Sequence, residues 1–380
     1  MKKYDYLIVG AGLFGCVFAR EAVRAGKTCL VIDKRGHIGG NSYTEVKEGL
    51  VLHAYGAHIF HTDSERVWNY VNGLVPFRNF INSPIARYRG EVYNLPFNMN
   101  TFSKLWGVVT PREAKAKLEE QIAALHLGEP KNLEEQGLKL VGKRRIRKAD
   151  QGLYGKTMGK TLQRASRLYH SPHSLRFTYD NNYFNDRYQG IPEGGYTRLA
   201  EKLSEGCDVR LSTEYSEFIK EYPDIAEKTV YTGMIDQFYG YRFGELEYRS
   251  LRFETERLDA EDFQGNAVVN YTEREIPYTR IIEHKHFEKA KCPFTYITRE
   301  YPAAWRRGDE PYYPINDEKN TLLYQKYKAL ADGEKTYFSA GGWGFTGISI
   351  WTRRSRPLCS LRNGSLGKQT NGNKACKRRR

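Results

Sequence analysis

The sequence predicts an α/β fold in which a Rossmann-like dinucleotide-binding domain carries a helical insertion and an antiparallel-sheet domain. Three observations predict it. A strand, a glycine turn, a helix, a second strand and an acid follow one another within the first 33 residues. Helix formers with i, i+3, i+4 apolar spacing occupy roughly 100 to 140, and alternation broken by Gly, Pro and Asp/Asn turns occupies 175 to 300. The expected units are 1–75 for the nucleotide-binding region, completed by parts of 190–245 and 315–350, then a mainly helical insertion at 76–175, a sheet region at 176–315 and an aberrant basic tail at 351–380.

The opening unit is the most specific. Tyr6-Leu7-Ile8-Val9 reads as a strand, Gly10-Ala11-Gly12-Leu13-Phe14-Gly15 is G-x-G-x-x-G, a helix runs to about Ala25, and Cys29-Leu30-Val31-Ile32 forms a strand ending at Asp33. Gly10 permits the tight turn, Gly12 lets a pyrophosphate approach the positive helix N-terminus, and Gly15 lets helix and strand pack closely. Asp33 stands 21 residues after Gly12, where a carboxylate accepts hydrogen bonds from an adenosine ribose. FAD is expected rather than NAD. The fingerprint opens the chain, Lys34-Arg35 and then His37-Ile38-Gly39-Gly40-Asn41-Ser42 bring backbone against an extended cofactor, and no second fingerprint follows.

Further along, Pro111 to Ala124 has the spacing of an amphipathic helix, while Val209-Arg-Leu-Ser-Thr and Ala267-Val-Val-Asn-Tyr-Thr272 alternate as strands do. Tyrosines and amides concentrate between Tyr179 and Pro192, at Pro277-Tyr-Thr-Arg280 and at Pro311-Tyr-Tyr-Pro314. A polar tip on a stacking face suits sugars and nucleobases.

Composition excludes several classes. A chain of 380 residues buries a large core, its apolar runs are too short to span a membrane, and Met1-Lys2-Lys3 leads directly into strand one, so a cytoplasmic protein is expected. The six cysteines lack C-x-x-C spacing, and His53, His58 and His61, the cluster among nine histidines, match no metal-ligand pattern; no metal is assigned. The net charge of +15 is local. Lys143–Arg167 carries +8 and Trp351–Arg380 carries +10, leaving −3 on the rest, and neither stretch interleaves aromatics, so nucleic acid is not an expected partner.

Five strings carry a resemblance: Tyr55-Gly-Ala-His-Ile-Phe-His-Thr62, Asn181 to Pro192, Gln264-Gly-Asn-Ala-Val-Val-Asn-Tyr271, Pro277-Tyr-Thr-Arg-Ile-Ile-Glu-His-Lys-His286 and Asp309-Glu-Pro-Tyr-Tyr-Pro314. The chain resembles bacterial UDP-galactopyranose mutase over about 1–142 and 175–338. The resemblance implies FAD, active when reduced by an external reductant, a homodimer, and interconversion of UDP-galactopyranose and UDP-galactofuranose for cell-surface polysaccharide. In that family the reduced flavin N5 attacks the anomeric carbon, UDP departs, and the sugar ring opens and recloses. Carried over residue by residue, Arg280, Tyr183 and Tyr313 are the groups on the diphosphate, and Asn82 and Asn270 line the sugar and uridine ends. His58, His61 and Thr62 belong to the loop against the isoalloxazine. Gly10, Gly12, Phe14, Gly15, Asp33, Lys34, Gly40, Asn41 and Glu214-Tyr215 are the remaining cofactor residues. The residues expected in catalysis are Arg280, Tyr183, Tyr313 and His58.

Two stretches depart from the family, and they are the two basic ones. Where the family places Gly-Tyr-Thr-Glu-Lys-Gln-Trp-Gly, whose Tyr and Trp hold uracil, this chain reads Gly152-Leu-Tyr-Gly-Lys-Thr-Met-Gly-Lys160. One back-translation of that string, read one base later, restores the motif. Likewise Gly341 to Thr352, read two bases later, gives Arg-Leu-Gly-Phe-Tyr-Arg-Tyr-Leu-Asp-Met-Asp, similar to the family's C-terminal flavin and phosphate motif. This implies a compensated internal frameshift and an uncompensated terminal one. Leu153, Met158 and Pro172 then replace Tyr, Trp and Arg, and Gly347 or Ile348 stands near the second phosphate tyrosine. Two further readings stay open: a flavin- or UDP-sugar-binding remnant without turnover, and a flavin amine oxidase-like oxidoreductase sharing the opening βαβ unit.

Overall fold

The computed structural model describes residues 3–124, 175–273, 275–333 and, for the backbone alone, 337–339. The segments 125–174 and 340–380, which hold both suspected frameshifts and the basic tail, lie outside the described residues.

The βαβ unit forms as its residues dictate, with β1 (Tyr4–Val9), α1 (Leu13–Arg24) and β2 (Cys29–Ile32). All four residues of β2 are buried, as in a strand covered on both faces. Gly10 takes φ +107°, and a Cβ on Gly15 would stand 2.0 Å from the Gly10 carbonyl oxygen. Only glycine permits that helix-to-strand approach. A hairpin follows, β3 (Thr44–Lys47) and β4 (Leu50–His53), turning on Glu48 and Gly49 with φ of 49° and 81°. After β5 (Phe60–Thr62), α2 (Glu65–Asn72) and β6 (Phe77–Asn79), a second hairpin, β7 (Ile85–Tyr88) and β8 (Glu91–Asn94), turns on Arg89 and Gly90 with φ of 49° and 79°. Both loops have two residues of positive φ, the type I′ geometry whose twist matches that of the strands.

Helices then start where their caps dictate. Asn98 accepts the amides of Asn100 and Thr101 at the head of α3 (Met99–Trp106), and a Thr110–Glu113 capping box with Pro111 behind it opens α4 (Pro111–Ala123). Residues 76–98 were expected to be helical and hold β6, β7 and β8 instead. Strands of three or four residues show too few alternations for periodicity to register, and the Arg89-Gly90 turn was the available signal.

The second half supplies β9 (Tyr188–Pro192), α5 (Tyr196–Ser204), β10 (Asp208–Arg210), α6 (Tyr215–Glu221), β11 (Ala226–Tyr231) and α7 (Ile235–Phe238). It continues with β12 (Tyr248–Leu258), β13 (Val268–Tyr271), β14 (Arg280–Glu283), α8 (Lys285–Glu288), β15 (Thr295–Ala304), β16 (Tyr313–Pro314), α9 (Glu318–Gly333) and β17 (Tyr337–Ser339). A parallel sheet runs β10-β2-β1-β11-β17, with Phe18, Ala19 and Ala22 of α1 packed on one face and Phe218 of α6 on the other. The second sheet runs β16-β12-β15-β14-β13-β7-β8 and is antiparallel except where β13 meets β7 in parallel. Small ladders β3-β4 and β5-β9-β6 lie outside both sheets.

The two fingerprint glycines should respond differently to an added methyl. Gly15→Ala is expected to lose about 2 kcal/mol or more in urea denaturation, because its Cβ meets backbone. Gly12→Ala, whose Cβ would meet nothing nearer than Gly40 Cα at 3.9 Å, should stay within about 1 kcal/mol of the parent. Equal losses would refute this division of roles.

Candidate active site

The glycine turn offers an anion site built from backbone. Gly12 caps α1 with extended φ and ψ and no side chain bonded to the helix N-terminus, so the first-turn amides have no side-chain cap. Gly40, at φ +56°, crosses the turn so closely that a Cβ there would stand 2.9 Å from Gly12 Cα, and the Gly39 amide donates to the Ala11 carbonyl at 2.8 Å. Asp33 is 8 % exposed. Its two oxygens accept the Ala11 amide at 2.7 Å and the Arg35 amide at 2.9 Å, so it braces the turn while each oxygen keeps a second lone pair. The surface is polar at its edge and free of side chains at its centre, which fits a dinucleotide.

The second feature is a row across the larger sheet. Register pairs Asn270 with Arg280, Arg280 with Glu300 and Glu300 with Phe253, and directly paired residues share a face. The buried Glu300 takes Nε of Arg280 at 2.8 Å and Nη2 at 2.7 Å through one carboxylate oxygen, while Thr279 Oγ1 donates to the other at 3.2 Å. Gly56, at φ +96°, packs on this pair: a Cβ would come within 3.3 Å of Glu300 Oε2 and 3.6 Å of Arg280 Nη2. Desolvation raises the phenol pKa values of Tyr183 and Tyr313, and the Arg280 charge pulls both back down. The same charge is felt at His58, so the four residues expected in catalysis converge electrostatically. The Tyr183 amide donates to the Asn82 carbonyl at 2.7 Å, and Asn270 Nδ2 donates to the Ile85 carbonyl at 3.3 Å.

The loop between β4 and β5 brings His58 to this row. Burial pushes His58 down to about 4 and His284 down to about 3, and it holds His53 well below the usual imidazole range. All three are neutral at pH 7. His58 Nε2 is buried without a hydrogen-bond partner, as a ring waiting for a non-protein group would be.

Comparison with known proteins fits this geometry. Residues 8–74 match the NAD(P)-binding Rossmann-like domain, and residues 156–344 match the UDP-galactopyranose mutase family. A probable UDP-galactopyranose mutase from Klebsiella pneumoniae is 38 % identical over 352 residues, spanning 90 % of each chain. The chain belongs to the UDP-galactopyranose mutase family. A dTDP-fucopyranose mutase from Escherichia coli is 36 % identical over 86 % of this chain and 89 % of that protein. The crystal structure of a reduced UDP-galactopyranose mutase superposes with a TM-score of 0.69 at 13 % identity, covering 92 % of this chain and 91 % of its own, so the Rossmann-like α/β fold is shared.

Several cofactor residues named for this mutase-family chain sit in bracing positions. Lys34 and Arg35 both pair with Glu310, at 2.6 and 2.8 Å, and Arg35 also donates to Asn41 Oδ1. Phe14 packs against the α1 core cluster. Glu214 and Tyr215 lie beyond Thr213, whose amide donates to the Asp33 carbonyl, and the Tyr215 ring packs on Tyr231. Thr62 is fully buried and accepts the Ser64 amide, while His61 stacks on Phe184 at 3.7 Å and pairs with Asp186. Glu300, Phe253, Gly56 and Thr279 were missed. Nothing local marks them, since their importance comes from strand register. Asp262, Glu283 and His286 also meet, but Glu283 already accepts the Phe263 and Gln264 amides, so the group ties a loop to β14.

The buried histidines make acid stability predictable. Their folded pKa values lie below the unfolded value of about 6.5, so the unfolded chain binds more protons and stability falls as pH drops from about 6.5 toward 4. Each group contributes up to about 1.4 kcal/mol per pH unit in that window. Urea midpoints at pH 7 and pH 5 should therefore differ clearly, and the difference should shrink in His58→Asn. A flat profile between those pH values would contradict the neutral assignment.

Proposed function

We propose that the chain binds FAD and interconverts UDP-galactopyranose and UDP-galactofuranose. The observation that carries this reading is the Arg280 cluster. Arg280 spends Nε and Nη2 on Glu300, which leaves its third guanidinium nitrogen for an incoming anion beside Tyr183 and Tyr313. A planar guanidinium held in place by a buried carboxylate suits a diphosphate oxygen. Asn270 lies one strand over on the same face and Asn82 bonds the Tyr183 backbone, which supports a sugar and a uridine on either side of the phosphates.

Toward the cofactor, Gly12 and the first turn of α1 would receive the pyrophosphate, Asp33 the adenosine ribose through its second lone pairs, and His58 Nε2 the flavin side. Bound FAD in its reduced form would supply the nucleophile for the anomeric carbon. The protein groups would hold the departing UDP at Arg280 and the tyrosines, stabilising the charge that develops there. A homodimer, an external reductant, a cytoplasmic location and delivery of product to cell-surface polysaccharide complete the reading, and these rest on family membership. Among the described residues no helix is long and apolar enough to cross a membrane. The choice between UDP and dTDP sugars falls on the base-holding segment, outside the described residues.

Replacing Arg280 tests the site. Arg280→Ala should weaken UDP binding by about 2–5 kcal/mol, the usual loss for a desolvated charge-assisted contact. Unchanged affinity in a calorimetric titration would remove Arg280 from the site.

The chain as written should show little turnover. Leu153, Met158 and Pro172 stand where the family has its uracil and phosphate side chains. A chain with both frames restored should turn over UDP-galactofuranose on the order of 1 per second or faster. Equal rates for the two chains would overturn the frameshift reading.

A further inference from the structure

The loop that presents His58 is tied to the substrate-side sheet by imidazoles that the proposed chemistry does not use. The His58 amide donates to His53 Nδ1 at 3.2 Å, and the His53 amide donates to His284 Nδ1 at 3.2 Å. His284 Nε2 lies 2.7 Å from Thr298 Oγ1, which in turn lies 2.8 Å from Thr255 Oγ1. Backbone amides can only donate, so both Nδ1 atoms are unprotonated and each neutral ring carries its hydrogen on Nε2. His284 therefore donates to Thr298, and the chain of bonds has one direction from the loop into the sheet.

Its anchor points are those of the phosphate-side row. Thr298 is two residues from Glu300 on β15, and Thr255 is two from Phe253 on β12, so all four project from one face. His284 follows β14, two alternations beyond Arg280. Both rings are 1 % exposed, and Phe287 packs against His53 at 4.5 Å. Gly56, resting on Arg280 and Glu300, fixes the other arm of the loop.

We infer that His53 and His284 are positioning residues, a neutral-imidazole tether that sets where His58 stands relative to Arg280. The functional consequence rests on the mutase reading, while the tether itself does not. Asparagine and glutamine at 284 separate positioning from packing. His284→Asn places an amide oxygen near the Nδ1 position and keeps the acceptor for the His53 amide. His284→Gln places its polar atoms near Nε2 and leaves that buried amide without an acceptor.

The test measures amide hydrogen exchange at His53 and His58, UDP affinity, the visible flavin band and the thermal midpoint of the parent and both variants. The Asn variant should keep parent-like exchange and a UDP Kd within about threefold. The Gln variant should exchange at least about tenfold faster at both amides, bind UDP about tenfold more weakly and shift the flavin band, at a thermal midpoint close to that of the Asn variant. If the two variants behave alike in exchange, the tether is refuted and His284 is a packing residue only. A parent that binds neither flavin nor UDP would defeat the mutase reading, and the exchange comparison would still decide the tether. Exchange that separates the variants while UDP affinity and the flavin band do not would refute the positioning role.

Discussion

Arg280 and Glu300 face each other across adjacent strands with the carboxylate almost fully buried, and the rest of the site is arranged around that ion pair. A buried pair of this kind adds little net stability, because desolvating both charges offsets most of their attraction, whereas removing one partner strands the other. Its value lies in direction. By engaging Nε and Nη2 through a single oxygen, Glu300 fixes the plane of the guanidinium, and Thr279 on its other oxygen fixes the carboxylate. Gly56 then has to be glycine twice over: its φ of +96° is left-handed, and a side chain would press on Arg280 and Glu300. The loop carrying His58 is thus aligned to the ion pair.

The parallel sheet solves the complementary problem of holding a large anion without a large charge. Asp33 engages the amides of Ala11 and Arg35, which fixes the turn before any ligand arrives. Gly39 and Gly40 close over Gly12 from the far side, so backbone forms most of the surface. Lys34 and Arg35 reach to Glu310, three residues before Tyr313, and so connect the nucleotide turn to the segment bearing a phosphate tyrosine. The two sites are joined by one carboxylate.

The nucleotide unit was legible because its information is local. Gly10, Gly12, Gly15 and Asp33 act within 33 residues, and the capping box at Thr110 and Glu113 announces α4 in the same way. Arg280, Tyr183, Tyr313 and Asn270 were reached only through long family strings, since their meeting depends on strand register between segments up to about a hundred residues apart. Glu300 shows the limit. Its position inside Thr298-Arg299-Glu300-Tyr301 carries no signal of burial, and only pairing with β14 makes it a partner for Arg280. His53 and His284 were hidden for the same reason, 231 residues apart in sequence yet joined by a bond from amide to ring. The strands at 77–94 escaped because each is too short for an alternating pattern to outweigh the helical sequence that follows.

Charge balance bears on what this chain can still do. In the described site the Arg280 charge is already opposed by Glu300, and Tyr183 and Tyr313 contribute hydroxyl donors but no positive charge. A dianionic diphosphate meeting a neutralised ion pair and two phenols is under-compensated, and in a partly desolvated site that deficit is costly. The family answers it with a second arginine, near where this chain has Pro172. The nine basic residues between Lys143 and Arg167 supply charge in that stretch, but a surplus of lysine and arginine is no substitute for a guanidinium held at one place by a folded segment. UDP affinity would therefore survive in part, carried by Arg280, while catalysis, which needs the phosphate charge met most fully as the bond breaks, would lose more.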